Sequence, residues 1–176
     1  MEDFKSLLAF EFSPYGALTS QQLALLEEHY RLLLRWNQKI NLTRITSLQD
    51  AVRYHYCESL YLAERLPKGP LRVIDIGSGA GFPGIPVAIY RPECTVDLVE
   101  SHQRKAVFLR EAARGLTNVR VLAQRAEALT DSYDWTISRA VRPEEVLKLN
   151  LGPHVAVLGV DGDSLPWGEK RALFVR

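Results

Sequence analysis

The first third of the chain alternates hydrophobic and polar positions with the period of an amphipathic α-helix. The sequence TSQQ at Thr19–Gln22 has the form of a capping box, in which a hydroxyl and a glutamine satisfy each other's backbone donors. We therefore expect a helix from Thr19 to about Lys39. The stripe of this amphipathic helix repeats at three- and four-residue steps, at Leu23, Leu26, Tyr30, Leu33 and Asn37.

A second helical stripe follows the first and ends at a double break. The sequence SLQD at Ser47–Asp50 repeats the start signal. PKGP at Pro67–Pro70 then stops the helix, because proline cannot donate a backbone hydrogen bond and Gly69 is free to turn. We therefore expect a helical cap over residues 1–66 and a second domain over residues 67–176. The stripe between the two signals runs through Val52, Tyr56, Leu60, Ala63 and Leu66.

Short apolar and β-branched runs follow the break and predict strands. They read LRVIDI, CTVDLVE, VRVLA, YDWTIS, HVAVLGV and RALFV. Helix-length segments lie between them at Gly84–Tyr90, His102–Gly115 and Pro143–Leu149. Strands that alternate with helices predict βαβ units with right-handed crossovers. The expected fold class is α/β, with a Rossmann-like, mostly parallel sheet that carries helices on both faces and is preceded by the helical cap.

Four glycines and two prolines follow the first predicted strand, in the stretch VIDIGSGAGFPGIP. Ligands of open parallel sheets bind where such a strand passes into its helix, and glycine lets the backbone approach a ligand closely. Gly77, Gly79 and Gly81 lie at this position. Because Gly79, Gly81 and Gly84 also satisfy the dinucleotide pattern G-x-G-x-x-G, the glycines alone do not choose a cofactor.

Two carboxylates narrow the choice of cofactor. Asp75, just before the glycines, would repel an anionic pyrophosphate and attract the positive charge of a sulfonium cofactor. It therefore favours S-adenosylmethionine over a nicotinamide dinucleotide. Glu100 ends the next predicted strand about 20 residues past the glycines, where a carboxylate can accept both ribose hydroxyls of either cofactor.

Composition and charge exclude several classes of protein. Apolar residues make up 47% of the chain and charged residues 24%, which is typical of soluble globular proteins. No apolar run approaches the ~20 residues of a membrane span, and the acidic opening lacks the basic start of a signal peptide, so we expect a cytoplasmic protein. The two cysteines and four histidines show no metal-binding spacing, and no metal is expected. The net charge of +1 means that any RNA would need a local basic patch.

Six motifs, in order along the chain, resemble the RsmG family, which is also called glucose-inhibited division protein B. They read WNQKINLT, HYCES, IDIGSGAGFPGIP, ESHQRKAVFL, RAEAL and ISRAV. The resemblance covers roughly Leu23–Val141 and implies a class I methyltransferase fold. It also implies transfer of a methyl group from S-adenosylmethionine to guanine N7 in 16S ribosomal RNA, within a small ribosomal subunit or an assembly intermediate. We expect a monomer.

The resemblance also implies which residues bind the cofactor. Glu100 would hold the ribose hydroxyls, Ala126 and Glu127 would border the adenine ring, and Arg139 would face both the cofactor and the substrate. Because guanine N7 carries an available lone pair at neutral pH, positioning suffices and no catalytic acid or base is expected. The full set is Asp75, Gly77, Gly79, Gly81, Phe82, Glu100, Ala126, Glu127 and Arg139.

Several polar and basic residues have both a functional and a structural interpretation. Arg139 could be a solvated cation at a strand end, and Glu127 an ordinary exposed carboxylate. We expect Trp36 to belong to the core and Asn41 to end the first long helix with a hydrogen bond. The HYCES motif should join the two domains rather than form a catalytic triad. Candidates for RNA phosphate contacts are Arg104, Lys105, Arg142, Lys39 and Arg44.

The end of the chain departs from the family pattern. The family's lysine-glycine strand end is replaced by AVLGVDGDS at Ala156–Ser164, and few residues follow. We therefore expect the carboxyl-terminal part of the sheet to be shortened, with a helix and a strand missing. Two other functions stay open: a methyltransferase for a small molecule or protein, and a cofactor-binding module that does not methylate RNA. A nicotinamide-dependent oxidoreductase is disfavoured by Asp75.

Overall fold

The amino-terminal part of the chain is helical in the computed structural model, which describes residues 3–176. Helix α1 spans Phe4–Phe12, and the sequence pattern did not predict it. Helix α2 spans Ser20–Asn37 and begins with the predicted capping box, since Thr19 and Gln22 accept each other's backbone N–H at 3.1 and 2.9 Å. None of the helices within residues 3–176 is long and apolar enough to cross a membrane.

The second predicted helix contains an irregular turn. Ser47 caps it as expected, by accepting a hydrogen bond from the Asp50 backbone N–H at 3.1 Å. Helix α3 spans Leu48–Asp50, a π-helical segment spans Ala51–Cys57, and α4 spans Glu58–Arg65. Such π segments are rare and often lie at functional sites.

A seven-stranded sheet follows, and its elements confirm the predicted alternation of strands and helices. The strand order is β3-β2-β1-β4-β5-β7-β6, in which β1 to β5 run parallel and β7 runs antiparallel to β5 and β6. The strands are β1 Arg72–Ile76, β2 Thr95–Val99, β3 Val119–Leu122, β4 Trp135–Arg139, β5 His154–Gly159, β6 Asp163–Ser164 and β7 Ala172–Val175. The helices between them are α5 Gly84–Tyr90, α6 Gln103–Ala112 and α7 Pro143–Leu149.

The last part of the sheet agrees only in part with the expectation that a helix and a strand are missing there. Residues 160–162 form the whole connection between β5 and β6, so this stretch contains no helix, as expected. The strand that was expected to be missing is present, although β6 has two residues. A parallel crossover needs a dozen or more residues, whereas this connection ends in a strand that pairs only with antiparallel β7.

One large hydrophobic cluster joins the helices to one face of the sheet. Leu33 of α2 and Phe108 of α6 both belong to it and are fully buried. Trp36 packs against the cluster, with its ring 5.8 Å from Phe108, and its indole N–H donates to Glu111 Oε2 at 2.9 Å. This agrees with the core role expected of Trp36. Because the cluster continues across residue 66, the division of the chain into two domains stays a prediction.

Candidate functional site

The glycine turn after β1 presents an open backbone surface at the carboxyl edge of the sheet. Gly77, Gly79 and Gly81 have φ angles of +68°, +55° and +97°, which side chains rarely tolerate. Among residues 3–176, a Cβ atom on Gly77 would have no neighbour within 4 Å, and one on Gly79 would have only a backbone oxygen at 3.8 Å. On Gly81 it would meet Ile85 at 2.7 Å. The first two glycines therefore face open space, whereas Gly81 allows close packing within the protein.

Asp75 lies directly under this turn and is fully buried. Its Oδ2 accepts a hydrogen bond from the Gly84 backbone N–H at 2.9 Å, and a Cβ atom on Gly84 would lie 2.6 Å from the same oxygen. The other oxygen, Oδ1, has no hydrogen-bond partner within residues 3–176. Burial raises the pKa of Asp75 to about 8, although the bond from Gly84 opposes the increase. An unpartnered buried carboxylate oxygen fits a cationic ligand at the turn.

Glu100 connects the glycine turn to the start of α6. Its Oε1 accepts from the Gly79 backbone N–H at 2.9 Å, and its Oε2 accepts from the His102 backbone N–H at 2.9 Å. Each carboxylate oxygen can accept a second hydrogen bond. The Glu100 side chain can therefore accept hydrogen bonds from ribose hydroxyls while it stays bonded to the turn.

Ala126 and Glu127 lie in a short 3₁₀ turn, Ala126–Ala128, that follows β3. Ala126 is half-buried and packs against the hydrophobic cluster formed by the ends of β1 and β2, whereas Glu127 is exposed. Because β3 pairs with β2, the turn lies at the same edge of the sheet as Glu100. The two residues thus offer one apolar and one polar surface there.

Phe82 belongs to the interior rather than to the open surface. The residue is 2% exposed, and its ring stacks on the His55 ring with centroids 4.3 Å apart and planes 7° apart. The rings of His29 and Tyr56 pack edge-on against it at 5.0 and 5.1 Å. Only the backbone of Phe82 is therefore placed to contact a ligand.

Arg139, at the end of β4, is held against Phe82 and His55. Its guanidinium carbon lies 4.9 Å from the centre of the Phe82 ring, and its Nη1 donates to His55 Nδ1 at 2.9 Å. Burial lowers the pKa of Arg139 to about 10, so the group is still protonated at neutral pH. Arg139 is thus a positioned cation rather than the solvated strand-end charge of the structural interpretation.

The tautomer of His55 follows from this contact. Because a guanidinium only donates, Nδ1 of His55 accepts, and Nε2 carries the hydrogen that it donates to Thr43 Oγ1 at 2.8 Å. Burial, with a smaller effect from the Arg139 charge, lowers the pKa of His55 to about 2. His55 is therefore neutral and orients Arg139, which agrees with a joining role rather than a catalytic triad.

Other residues of the HYCES and WNQKINLT motifs also join parts of the chain. Glu58 is 1% exposed and accepts hydrogen bonds from Nε and Nη2 of Arg171, just before β7. The prediction for Asn41 is wrong, because that residue is exposed and Asn37 ends the helix instead. Oδ1 of Asn37 accepts from the backbone N–H groups of Leu42 and Thr43 at 2.9 and 3.0 Å. The asparagine one helical turn earlier is the one that faces the returning backbone.

His29 of α2 is a site residue that the sequence did not reveal. It is 3% exposed; its Nε2 donates to the Ala80 carbonyl in the glycine turn at 2.9 Å, and its Nδ1 accepts from the Tyr56 hydroxyl at 2.8 Å. Burial lowers the pKa of His29 to about 4, so the ring is neutral. The only signal in the sequence is that His29 lies between Leu26 and Leu33 on the hydrophobic face of its helix.

A cavity of about 360 Å³ opens beside Arg139, at the carboxyl ends of β4 and β5. Arg142 lines it and is itself exposed, with ion pairs to Glu144 at 3.6 Å and Glu145 at 3.4 Å. The structure therefore places Arg142 next to Arg139. The other RNA candidates lie elsewhere on the surface: Arg104 and the half-exposed Lys105 on α6, and Lys39 and Arg44 beyond the end of α2.

The sheet order and the glycine turn define the class I fold of S-adenosylmethionine-dependent methyltransferases. Coclaurine N-methyltransferase, solved with N-methylheliamine and S-adenosylhomocysteine, superposes with a TM-score of 0.54 at 16% identity, over 88% of this chain and 56% of that one. A methyltransferase from Aquifex aeolicus gives a TM-score of 0.52 at 15% identity, over 68% and 71% of the two chains. These similarities show the fold.

Sequence comparison shows the family. The GidB family model, described as rRNA small subunit methyltransferase G, matches residues 22–159. A relative of that name from Chromobacterium violaceum is 41% identical, over 81% of this chain and 73% of its own length. The relative from Desulforamulus reducens is 39% identical, over 74% of this chain and 58% of its own length. The one from Moorella thermoacetica is 37% identical, over 90% of this chain and 70% of its own length. The chain belongs to the GidB family, and the resemblance seen in its motifs is confirmed.

Proposed function

We propose that this protein transfers a methyl group from S-adenosylmethionine to N7 of a guanine in 16S ribosomal RNA. Membership of the GidB family supports the reaction and the substrate, since the relatives are named ribosomal RNA small subunit methyltransferase G. One observation supports the choice of cofactor. An open glycine turn with positive φ angles lies over the buried Asp75 oxygen that has no partner within residues 3–176. A cationic ligand at the turn would stabilise that carboxylate.

The residues at the turn fit the parts of the cofactor. The backbone of Gly77 and Gly79 would contact its methionine end, Asp75 would balance its positive charge, and Glu100 would accept from the ribose hydroxyls. Ala126 and Glu127 would border the adenine ring. When bound, S-adenosylmethionine supplies an electrophilic methyl group on a sulfonium.

Arg139 would orient the guanine rather than move a proton. Guanine N7 attacks through its own lone pair, so the protein has to hold N7 in line with the methyl group and exclude other orientations. Arg139 is protonated, is fixed by His55 and Phe82, and lines the neighbouring cavity. It would donate to the O6 atom of guanine or to its phosphate, since both are acceptors.

The RNA would be held by surface cations, of which Arg142 lies beside Arg139 and the others lie on α6 and beyond the end of α2. Arg142, Arg104, Lys105, Lys39 and Arg44 would contact phosphates, which predicts binding that weakens steeply with added salt. Because the net charge is only +1, we propose a structured substrate, which is a small ribosomal subunit or an assembly intermediate. We also propose that the active form is a cytoplasmic monomer.

The test is methyl transfer from labelled S-adenosylmethionine to small ribosomal subunits that lack the modification. Label in 16S RNA, mapped to guanine N7 by mass spectrometry, is the expected result, and Arg139→Ala should lower it while leaving the protein folded. Label in a small molecule or a protein but none in RNA would overturn the RNA assignment. Cofactor binding by calorimetry without transfer to any of these would favour a binding module.

A further inference from the structure

The cavity beside Arg139 has a wall formed by β5 and by the residues between β5 and β7. Arg139 ends β4 and pairs with Leu158 of β5, and Asp161 follows three residues later in the connection to β6. Asp161 and Lys170 both line the cavity. Because β4 lies between β1 and β5, the order along the edge of the sheet is glycine turn, Arg139, Asp161.

Some of the charged side chains that line the cavity are paired within the protein and others are not. Arg171 is paired with Glu58, Arg142 with Glu144 and Glu145, and Arg139 with His55. Within residues 3–176 no salt bridge is formed by Lys170 or by Asp161, and Asp161 is the cavity's single carboxylate there. The cavity therefore offers one available anion and one available cation. The rest of its lining is largely apolar, from Val141, Pro143, Val157, Leu158 and Val160.

We infer that Asp161 recognises the Watson–Crick edge of the target guanine. That edge presents two adjacent donors, N1–H and the N2 amino group, and a carboxylate is an acceptor with two oxygens. Adenine presents an acceptor, N1, at the same place and would be repelled. The inference deepens the proposed function and rests on it for the choice of guanine as the base.

The position of Asp161 agrees with reaction at N7. The strands β1 and β5 are separated by two strand spacings, about 10 Å, which accommodates a purine with a hydrogen bond on one side. A guanine whose N1 and N2 face Asp161 on the β5 side turns its O6 and N7 edge towards Arg139 and the glycine turn. Lys170, at the rim, is then available for the phosphate of the same nucleotide.

The test compares the binding of GMP, IMP and AMP in the presence of S-adenosylhomocysteine, by calorimetry or NMR titration. IMP differs from GMP by the missing N2 amino group. We expect GMP to bind about 10-fold more tightly than IMP, which is the effect of one hydrogen bond to a charged group. The difference in affinity between GMP and AMP should be larger. Asp161→Asn should bring the GMP to IMP ratio close to one.

Asp163→Asn is the matched control, because Asp163 is an exposed carboxylate two residues further on that does not line the cavity. It should keep the wild-type ratio. Equal binding of the three nucleotides, unmeasurable binding of GMP, or an unchanged ratio in Asp161→Asn would each overturn the inference.

The subunit assay separates this result from the proposed function. Methylation of 16S RNA by a protein that does not distinguish GMP from IMP would leave the function standing and remove the role of Asp161. Discrimination of GMP that depends on Asp161, without methylation of subunits, would support a guanine site and overturn the ribosomal substrate.

Discussion

Asp75 shows how burial sets the charge of a single residue at the proposed cofactor site. Burial raises its pKa from the ordinary 3.8 to about 8, so the neutral form predominates at pH 7 in the protein without a ligand. The contribution of this residue to folding stability is complete below about pH 4 and is lost as the pH rises through about 8. A cationic ligand would reverse the preference, since it favours the ionised carboxylate.

Binding of S-adenosylmethionine should therefore depend on pH and release a proton. Asp75 has to ionise when the cation binds. As the pH is increased towards 7, the affinity for the cofactor should therefore rise by up to about tenfold per pH unit. Calorimetry in buffers of different ionisation enthalpy measures both the affinity and the proton release. Asp75→Asn should bind weakly and without this pH dependence, and the same slope in that variant would contradict the role of Asp75.

Gly77 provides a second prediction at the level of one residue. Gly77→Val should abolish cofactor binding, because its side chain would occupy the open space at the turn, and should cost about 1–3 kcal/mol of stability through backbone strain. Gly69→Val is the matched control, since Gly69 also has a positive φ, +96°, and no neighbour in the described part of the chain within 4 Å of its Cβ position. Thermal unfolding should show similar losses in both variants, with cofactor binding lost only in Gly77→Val.

Among the secondary structure elements, α2 is tied to the glycine turn by one side chain. His29 reaches from the helix to the Ala80 carbonyl, and Tyr56 of the π-helical segment fixes its tautomer. The His55 ring from the same segment stacks on Phe82. The helical layer thus sets the conformation of the turn from behind, while the open face of the turn stays accessible.

His29→Phe tests this connection. Phenylalanine keeps an aromatic ring against Phe82 and Phe108 but leaves the buried Ala80 carbonyl and Tyr56 hydroxyl without their partner. Urea unfolding should show a loss of about 1–3 kcal/mol. Cofactor affinity should fall more than in Tyr56→Phe, which leaves the bond to Ala80 in place; equal affinities in the two variants would contradict a specific role for that bond.

The elements of the sheet could be predicted because their signals are local. β-Branched runs such as RVIDI and TVDLV predicted strands, and the signals at Thr19 and Ser47 predicted two helix starts. The π-helical segment Ala51–Cys57 could not be predicted, since widening one turn of a helix leaves the hydrophobic stripe nearly unchanged. Helix α1 was missed because its apolar residues are too numerous to show a clear helical period.

The candidate site could be predicted in part for a similar reason. Gly77, Glu100 and Arg139 end or follow β1, β2 and β4, and adjacent parallel strands bring such positions to one edge. His29 could not be found, because it meets the glycine turn across 51 residues of sequence. The orientation of Phe82 into the interior likewise depends on His55 and Tyr56, which come from a different layer.

In the molecule as a whole, the ion pair of Glu58 and Arg171 joins the helices to the end of the chain. Arg171→Ala should cost about 3 kcal/mol, because it leaves a carboxylate with 1% exposure without its partner. The exposed pair of Arg142 and Glu144 is the control, and Glu144→Gln should change stability by less than about 0.5 kcal/mol. Urea unfolding measures the free energy of unfolding of both variants. A similar small loss in both would show that the buried pair contributes no more to stability than the exposed one.

The three-residue connection between β5 and β6 has a consequence for how the two sides of the site move. Its neighbour β6 pairs through two residues at the outer edge, whereas β1, which carries the glycine turn, lies between two five-residue strands. We expect amide hydrogen exchange to be fastest around residues 160–164 and slowest in β1, since edge elements open locally at lower free energy. The wall that would meet the RNA can thus adjust to an irregular nucleic acid surface while the cofactor half keeps its shape.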